Sequence, residues 1–549
     1  MKKAYPSIFL RVAIFFTALV WCTLANRAAF AQVFIPIDTG ARLTADFVRG
    51  GVDVFDYLSR EQREDVRSCR LQLDITDSLK ASIEKASDTK AKRVVLPAGC
   101  YRTSSTINLP TNMSLVGASI HATRIVAKGN FPAISASGTY AKGLAGVSVE
   151  NMSIICSGMN QPDAMGVKLV YVNRGNLQNL YFKGCRHALD LYDQWQTRID
   201  NVTADGQGAQ QNSVGVYMGP PTDRANMMPN NAVILSNSTM QNVAQYGYQL
   251  VFFAGSKFVN AEAMNGITGW KLCGEPLFPA EQACQFGHFD NILADTTSGP
   301  GIMVDQGSNR NPVTDVMFDH VWIGSSKKHG IYLAGVTNSQ FDNVHVTRSD
   351  NGVYLYNSQN VKVSANIAYY NRQNDDSHAA VIDGGQDNTL WATNSHSDYP
   401  NGYNGIVEIG PTHGNSVWGG LADCRLALVT GISGSERQFA PDDQFCRYEI
   451  HGRQVRLSFR MGSFRQQLGA EPVGLGGLPF PVDALGRSVV GNALSRSMGE
   501  PDGTILVEAE QGKSSLGLYV QEDKVVRALT GRQLLKDTEI SGALNYVKH

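Results

Sequence analysis

Carboxylates, imidazoles and tyrosines gather between residues 328 and 408 of this 549-residue chain. Lys328-His329, Asp350-Asn351 and Ser377-His378 each stand directly before a short apolar run, and Asp375 and Asp376 lie on the bend before the third. The runs themselves carry Tyr332, Tyr354, Tyr356, Asp383 and Glu408 at alternating positions, with Asp305 one run earlier. Two carboxyl groups, one kept protonated and one ionised, are what glycosidic bond hydrolysis requires, and clustering beside imidazoles splits carboxyl pKa values in that way. Asp350, Asp376 and Asp383 are therefore the candidate catalytic residues. Tyrosine faces stack on sugar rings and leave a hydroxyl for bonding. Tyr332, Tyr354 and Tyr356, with His329, His378, Arg348, Glu408 and Trp391, are the candidate substrate contacts. Asp, Asn and Ser are also ordinary bend residues.

The elements that must position these groups repeat. An apolar residue, a variable one and Asn recur at Val149–Asn151, Leu177–Asn179, Ile199–Asn201, Leu235–Asn237, Phe258–Asn260, Phe289–Asn291 and Phe341–Asn343. A second unit, Gly-apolar-x-apolar, recurs from Gly166, Gly215, Gly247, Gly269, Gly301, Gly330 and Gly352. Short strands and turns at a period of 20 to 36 residues, without helical periodicity, are the signature of a stacked solenoid. The reading is an all-β, right-handed parallel β-helix of about 11 to 12 coils over 113–432. Strand alternation predicts the repeated Asn inside, its amide bonded from coil to coil. The x positions are predicted to face water.

The chain opens with Lys2, Lys3 and Arg11, an apolar run from Val12 to Ala25, and Ala29-Phe30-Ala31, which reads as a signal peptide cleaved after Ala31. The expected location is therefore secreted, periplasmic or extracellular, with no membrane span. Without residues 1–31 the chain carries 44 basic and 49 acidic groups, which points away from nucleic acid as a partner. Eight cysteines remain, and their spacing favours Cys69–Cys100, Cys156–Cys185, Cys273–Cys284 and Cys424–Cys446. No Cys/His spacing reads as a zinc site. In segment 32–112, Ser59 with Gln62 forms a capping box for a helix to about Ser68, and a second helix runs from about Thr76 to Ala86. These helices cover the open end of the solenoid.

GVDVFDYL from Gly51, a helix, and RVVLPAGCYRTSSTINLPTNMSLVGAS from Arg93 resemble the N-terminal cap and first coil of the pectate-lyase-like superfamily. The resemblance covers roughly residues 51–432 and implies a secreted polysaccharide lyase, hydrolase, epimerase or tailspike-type depolymerase. Ser349-Asp350-Asn351-Gly352 and Asp375-Asp376-Ser377-His378 are similar to the catalytic coils of its polygalacturonase branch. That likeness implies roles for Asp350, Asp375 and Asp376, although the family's Gly-His-Gly and Arg-Ile-Lys signatures are absent. Gly477-Leu478-Pro479-Phe480-Pro481 resembles the jelly-roll-like C-terminal domains of phage tail β-helices, which implies a β-sandwich accessory domain over 433–549 and a homotrimer as one assembly.

The expectation is a hydrolase acting on an acidic exo-, capsular or cell-wall polysaccharide, needing no cofactor. The alternative is a lyase or epimerase on a uronate-containing glycan, with Arg348, Lys362 and Arg372 as available cations and Ca2+ as its ion. The non-enzymatic alternative is a glycan-binding surface protein. A third column, Asp290, Asp319, Asp342, Ser364, Trp391 and Trp418, would suit a cation at its acidic end. Its Phe-Asp-Asn-Val units equally read as ordinary coil sequence, and its two tryptophans call for a cover.

Overall fold

The structure, a computed structural model, describes residues 51–549 except 157–160, 207–212, 221, 223–227, 277–283, 371–377, 395–405, 424–425, 431–436, 440–442, 453, 463–471, 477–487, 497–503, 510–515, 523–524, 531, 533–538 and 548–549. The signal segment, Asp375, Asp376, Cys424 and the expected boundary at 433 thus lie outside the described residues.

Helix α1 (Arg60–Ser68) begins at the expected capping box: Gln62 N donates to Ser59 Oγ at 3.2 Å and Ser59 N donates to Gln62 Oε1 at 2.9 Å. Helix α2 (Thr76–Ser87) buries Leu79, Ile83 and Ala86, which helical spacing puts on one face. Beyond them the chain winds as a right-handed parallel β-helix. One sheet holds twelve strands in strict chain order from Ile107–Asn108 to Ile406–His413, every pairing parallel. We call it the glycine sheet, because it carries the Gly-apolar-x-apolar repeat. The asparagine repeat lies on a second sheet, also parallel through Ser416–Asp423.

The asparagines form the expected coil-to-coil ladder, but on the outside. Asn179 Nδ2 donates to Asn151 Oδ1 at 2.8 Å, Asn201 to Asn179 at 2.8 Å and Asn291 to Asn260 at 2.8 Å. Each of these residues is left-handed, with φ between 51° and 58°. A left-handed residue breaks the two-residue alternation, so two successive side chains point outward. Around Asn260, Phe258 and Ala261 face the core while Asn260 is exposed. Asn tolerates this conformation better than other non-glycine residues. The repeat thus marks a corner of the coil.

Inside that corner the aromatic residues of the repeat stack along the axis. Phe258, Phe289, Phe318 and Phe341 lie nearly parallel, with successive centroids 4.7, 4.2 and 4.9 Å apart. Tyr248 and Trp270 stack beside them at 3.7 Å. The repeated glycines meet a different demand. A Cβ at Gly215, Gly247, Gly269 or Gly330 would lie 2.4 to 2.8 Å from the carbonyl oxygen of the glycine one coil on, so at these four coils a side chain would push the neighbouring backbone away.

Three expected disulfides are present: Cys69–Cys100, Cys156–Cys185 and Cys273–Cys284. Cys446 is also disulfide-bonded. At the C-terminal end the strand Ser416–Asp423 pairs antiparallel with Asp443–Gly452, which pairs with Gln454–Gly462 and, through it, with Glu539–Val547. Antiparallel strands therefore cover the last parallel edge of the asparagine sheet. No described helix is long and apolar enough to cross a membrane.

Candidate functional site

On the outer face of the glycine sheet the variable position of the repeat forms one in-register column. It reads Lys168, Asp190, Tyr217, Gln249, Lys271, Met303, Tyr332 and Tyr354. Two residues further along each strand a second column includes Tyr192, Asp305, Tyr356 and Asp383. This two-residue-wide strip carries two polar clusters.

The later cluster contains residues singled out from the sequence. Tyr354 Oη donates to Asp383 Oδ2 at 2.8 Å. His329 packs against Tyr354 and Tyr332, with centroids 4.8 and 5.4 Å away, and those two tyrosines stack at 5.7 Å. Asn351 Oδ1 accepts from His378 N at 2.8 Å, which turns its Nδ2 toward His329 Nδ1 at 3.2 Å. Burial, helped by the charge of Lys328, pushes the His329 pKa down to about 4. His329 is thus neutral at pH 7, and with Nδ1 accepting from Asn351 it offers Nε2–H as a donor. Burial, then the bond to Asp383, pushes Tyr354 up to about 12. Asp305 stands three coils from Asp383, roughly 14 Å by strand spacing, too far to act with it.

The remaining expected contacts are dispersed. Arg348 is exposed, and the Asp350 backbone N donates to Lys328 O at 2.6 Å. Glu408 pairs in register with Ile382 rather than with Asp383; its side chain is outside the described residues. Trp391 is 55% exposed and stacks on Trp418 at 5.4 Å, but on the asparagine sheet, away from the tyrosines.

The neutral His329 makes a stability prediction. Its pKa lies below the ordinary 6.5, so its contribution is fully present above about pH 6.5 and is lost as pH falls toward about 4. His329→Gln is expected to flatten the fall in melting temperature over that window. Equal slopes for the two proteins would contradict the buried, neutral imidazole.

The earlier cluster was not foreseen. His187, Asp190 and Tyr192 share one strand, His187–Tyr192, and Lys168 and Tyr217 flank it on the neighbouring coils. Asp190 is 0% exposed and His187 7%. His187 Nδ1 lies 2.7 Å from Asp190 Oδ1, Tyr192 Oη donates to the same oxygen at 3.3 Å, and Lys168 Nζ stands 3.8 Å from Asp190 Oδ2. Lys168 also lies over the Tyr192 ring at 5.4 Å, and the Tyr217 ring packs on His187 at 4.7 Å. Burial, then nearby carboxylates, pushes both tyrosines far above their ordinary pKa, so both hydroxyls stay protonated. A Cβ at Gly219 would lie 2.2 Å from Tyr192, so glycine makes room for that ring. A sequence signal did exist. The coil reads Ala188-Leu189-Asp190-Leu191, with alanine where the repeat has glycine, and a search keyed on glycine passes over it.

Asp290, Asp319 and His320 are the described residues able to hold a metal ion. His320 replaces asparagine in the ladder, its Nδ1 lying 3.3 Å from Asp290 and 3.2 Å from Asp319. Two half-buried carboxylates and an imidazole are a poor match to the six to eight oxygens calcium takes. The imidazole itself fills the gap in the ladder, so this cluster gives no calcium site for the chemistry.

No protein-family model matches the chain, and no curated protein matches it in sequence. Among solved structures it is similar to the A-module of mannuronan C-5 epimerase AlgE6 of Azotobacter vinelandii: 15% identity, TM-score 0.48, covering 67% of this chain and 99% of that one. It is similar to the Dettilon tailspike protein gp208 at 11% identity and TM-score 0.38, over 94% and 97% of the two chains. The catalytic domain of a GH87 alpha-1,3-glucanase matches at 14% identity and TM-score 0.38, over 63% of this chain and 67% of that one. The parallel β-helix assignment rests on the strand pairing described above.

Proposed function

We propose that this protein is an exported enzyme acting on a uronate-containing polysaccharide by proton transfer, as a lyase or epimerase. The observation that carries the reading is the His187–Asp190 pair. Buried Asp190 accepts from Nδ1–H and so leaves the Nε2 lone pair free as a base. Nε2 removes the proton α to a uronate carboxylate, and the electron pair passes into that carboxylate. Lys168 offsets the charge that develops there. In elimination the bond to the neighbouring glycosidic oxygen then breaks, a carbon–carbon double bond forms, and a tyrosine hydroxyl protonates the leaving oxygen. In epimerisation a proton returns on the opposite face instead. The disulfides fit an oxidising compartment.

In this reading the His329–Tyr332–Tyr354–Asp383 cluster binds the same chain further along the strip, five to seven coils from Asp190 and roughly 24 to 34 Å away. Hydrolysis through Asp350, Asp376 and Asp383 is the rival chemistry. Its support is Asp383, held by Tyr354 beside the stacked Tyr332 ring.

The test is incubation with uronate-containing and neutral polysaccharides, following reducing ends and the ultraviolet absorbance of unsaturated products, with uronate configuration read by NMR. Elimination gives both signals from uronate polymers alone. Epimerisation gives neither, but changes the configuration. Reducing ends without absorbance, lost in Asp383→Asn, would replace this reading with hydrolysis.

A further inference from the structure

The coil has another left-handed corner, preceding the asparagine sheet. It is occupied in turn by Arg174, Gln196, Ala232, Gly255, Phe286, Asp315, Asn338, Asn360 and Asp387, all with φ between 48° and 57°. The residues just before them pair in register from Asn173 to Gln386, so the nine corners are one column. Most are small or polar types that this conformation tolerates. Phe286 is not: a bulky residue there is strained, and it is also 56% exposed. Core packing does not explain it.

Phe286 instead forms the end of a trough of about 360 Å³. One wall continues along the corner through Asp315, Asn338 and Asn360. The other is made by His288, Met317, Gln340 and Lys362, the first outward residues of four successive strands. Met317 is 47% exposed, which leaves a second apolar surface beside the ring. Amide donors and acceptors dominate the rest, with Asp315 and Lys362 opposing in charge. The volume lies in the range of small-ligand sites. Asn360 Nδ2 donates to Asn338 Oδ1 at 2.9 Å and Gln340 Nε2 donates to Asp342, which uses part of each amide's bonding capacity. An apolar protein partner would cover the rest of that capacity without replacing its water, whereas a sugar would meet it with hydroxyls and cover the ring with its C–H face.

We propose that this trough is a second, non-catalytic glycan site, holding about three units of the polysaccharide with one ring on Phe286, a length set by four coils at strand spacing. It faces outward from the asparagine sheet, apart from the catalytic strip on the glycine sheet. The proposal rests on the reading that the protein acts on polysaccharide.

Phe286→Asn gives the corner the residue type it carries at Asn338 and Asn360. The variant is expected to melt at the same or a higher temperature, to bind polymer about tenfold more weakly in affinity electrophoresis, and to turn over short oligosaccharides unchanged. Gln340→Ala should weaken polymer binding in the same direction. Unchanged polymer affinity in both variants, with turnover of uronate polymer intact, overturns the trough and leaves the proposed function standing. Failure of the wild-type protein to bind or turn over any polysaccharide removes both.

Discussion

His187→Asn is expected to lower turnover of a uronate polymer by about 10³- to 10⁴-fold while leaving the fold intact. Asparagine keeps a polar group at the site but has no imidazole nitrogen to carry the proton. Asp190→Asn is expected to fall in the same range for a different reason. An amide in place of the carboxylate no longer enforces the proton on Nδ1, and Lys168, 3.8 Å away, loses its counter-charge. The two losses are not additive, because both act through one Nε2 lone pair. Binding of intact polymer should survive both changes, since the tyrosines further along the strip are untouched. Turnover within tenfold of wild type in His187→Asn would remove the imidazole from the mechanism.

Phe289→Ala is expected to cost about 3 to 5 kcal/mol of stability, the range for deleting a fully buried aromatic. The ring is 0% exposed, sandwiched between Phe258 and Phe318 at 4.7 and 4.2 Å, and it meets the Trp270 and Phe253 rings edge-on at 5.9 and 6.1 Å. Neighbouring coils are tied by parallel strand pairing above and below, so the space cannot close by a simple side-chain shift. Phe289→Leu should cost less, because the branched chain fills part of the volume. Denaturant unfolding followed by tryptophan fluorescence and circular dichroism reads both. Equal stability of Phe289→Ala and wild type would show that the stack contributes shape rather than energy.

The architecture was legible because a solenoid writes its contacts into its period. Phe258, Phe289, Phe318 and Phe341 recur because they touch one another, and Cys156 and Cys185 sit at matching places in adjacent coils for the same reason. The direction of the asparagine side chains was not legible. Alternation assumes an extended chain, and a single left-handed residue such as Asn260 reverses it without altering the spacing. The aromatic strip at Tyr332 and Tyr354 could be read, since the x position of a strand repeat faces outward. The buried pair at His187 and Asp190 was hidden twice. Its coil carries Ala188 in place of glycine, and outward residues are expected to be wet, whereas these two are covered. What betrays them is burial of polar side chains on the outer face of a sheet, a property of packing rather than of sequence order.

The central claim is that a proton bound to carbon is removed from the substrate by His187. The direct measurement is deuterium incorporation: uronate polymer is incubated with enzyme in heavy water, and the recovered polymer and released oligosaccharides are examined by NMR and mass spectrometry. Deuterium at the carbon α to the carboxylate, or an unsaturated sugar at new chain ends, is the predicted result. Both should vanish in His187→Asn and persist in Asp383→Asn. Saturated new ends without deuterium, abolished instead by Asp383→Asn, would contradict the account and place the chemistry at the later cluster.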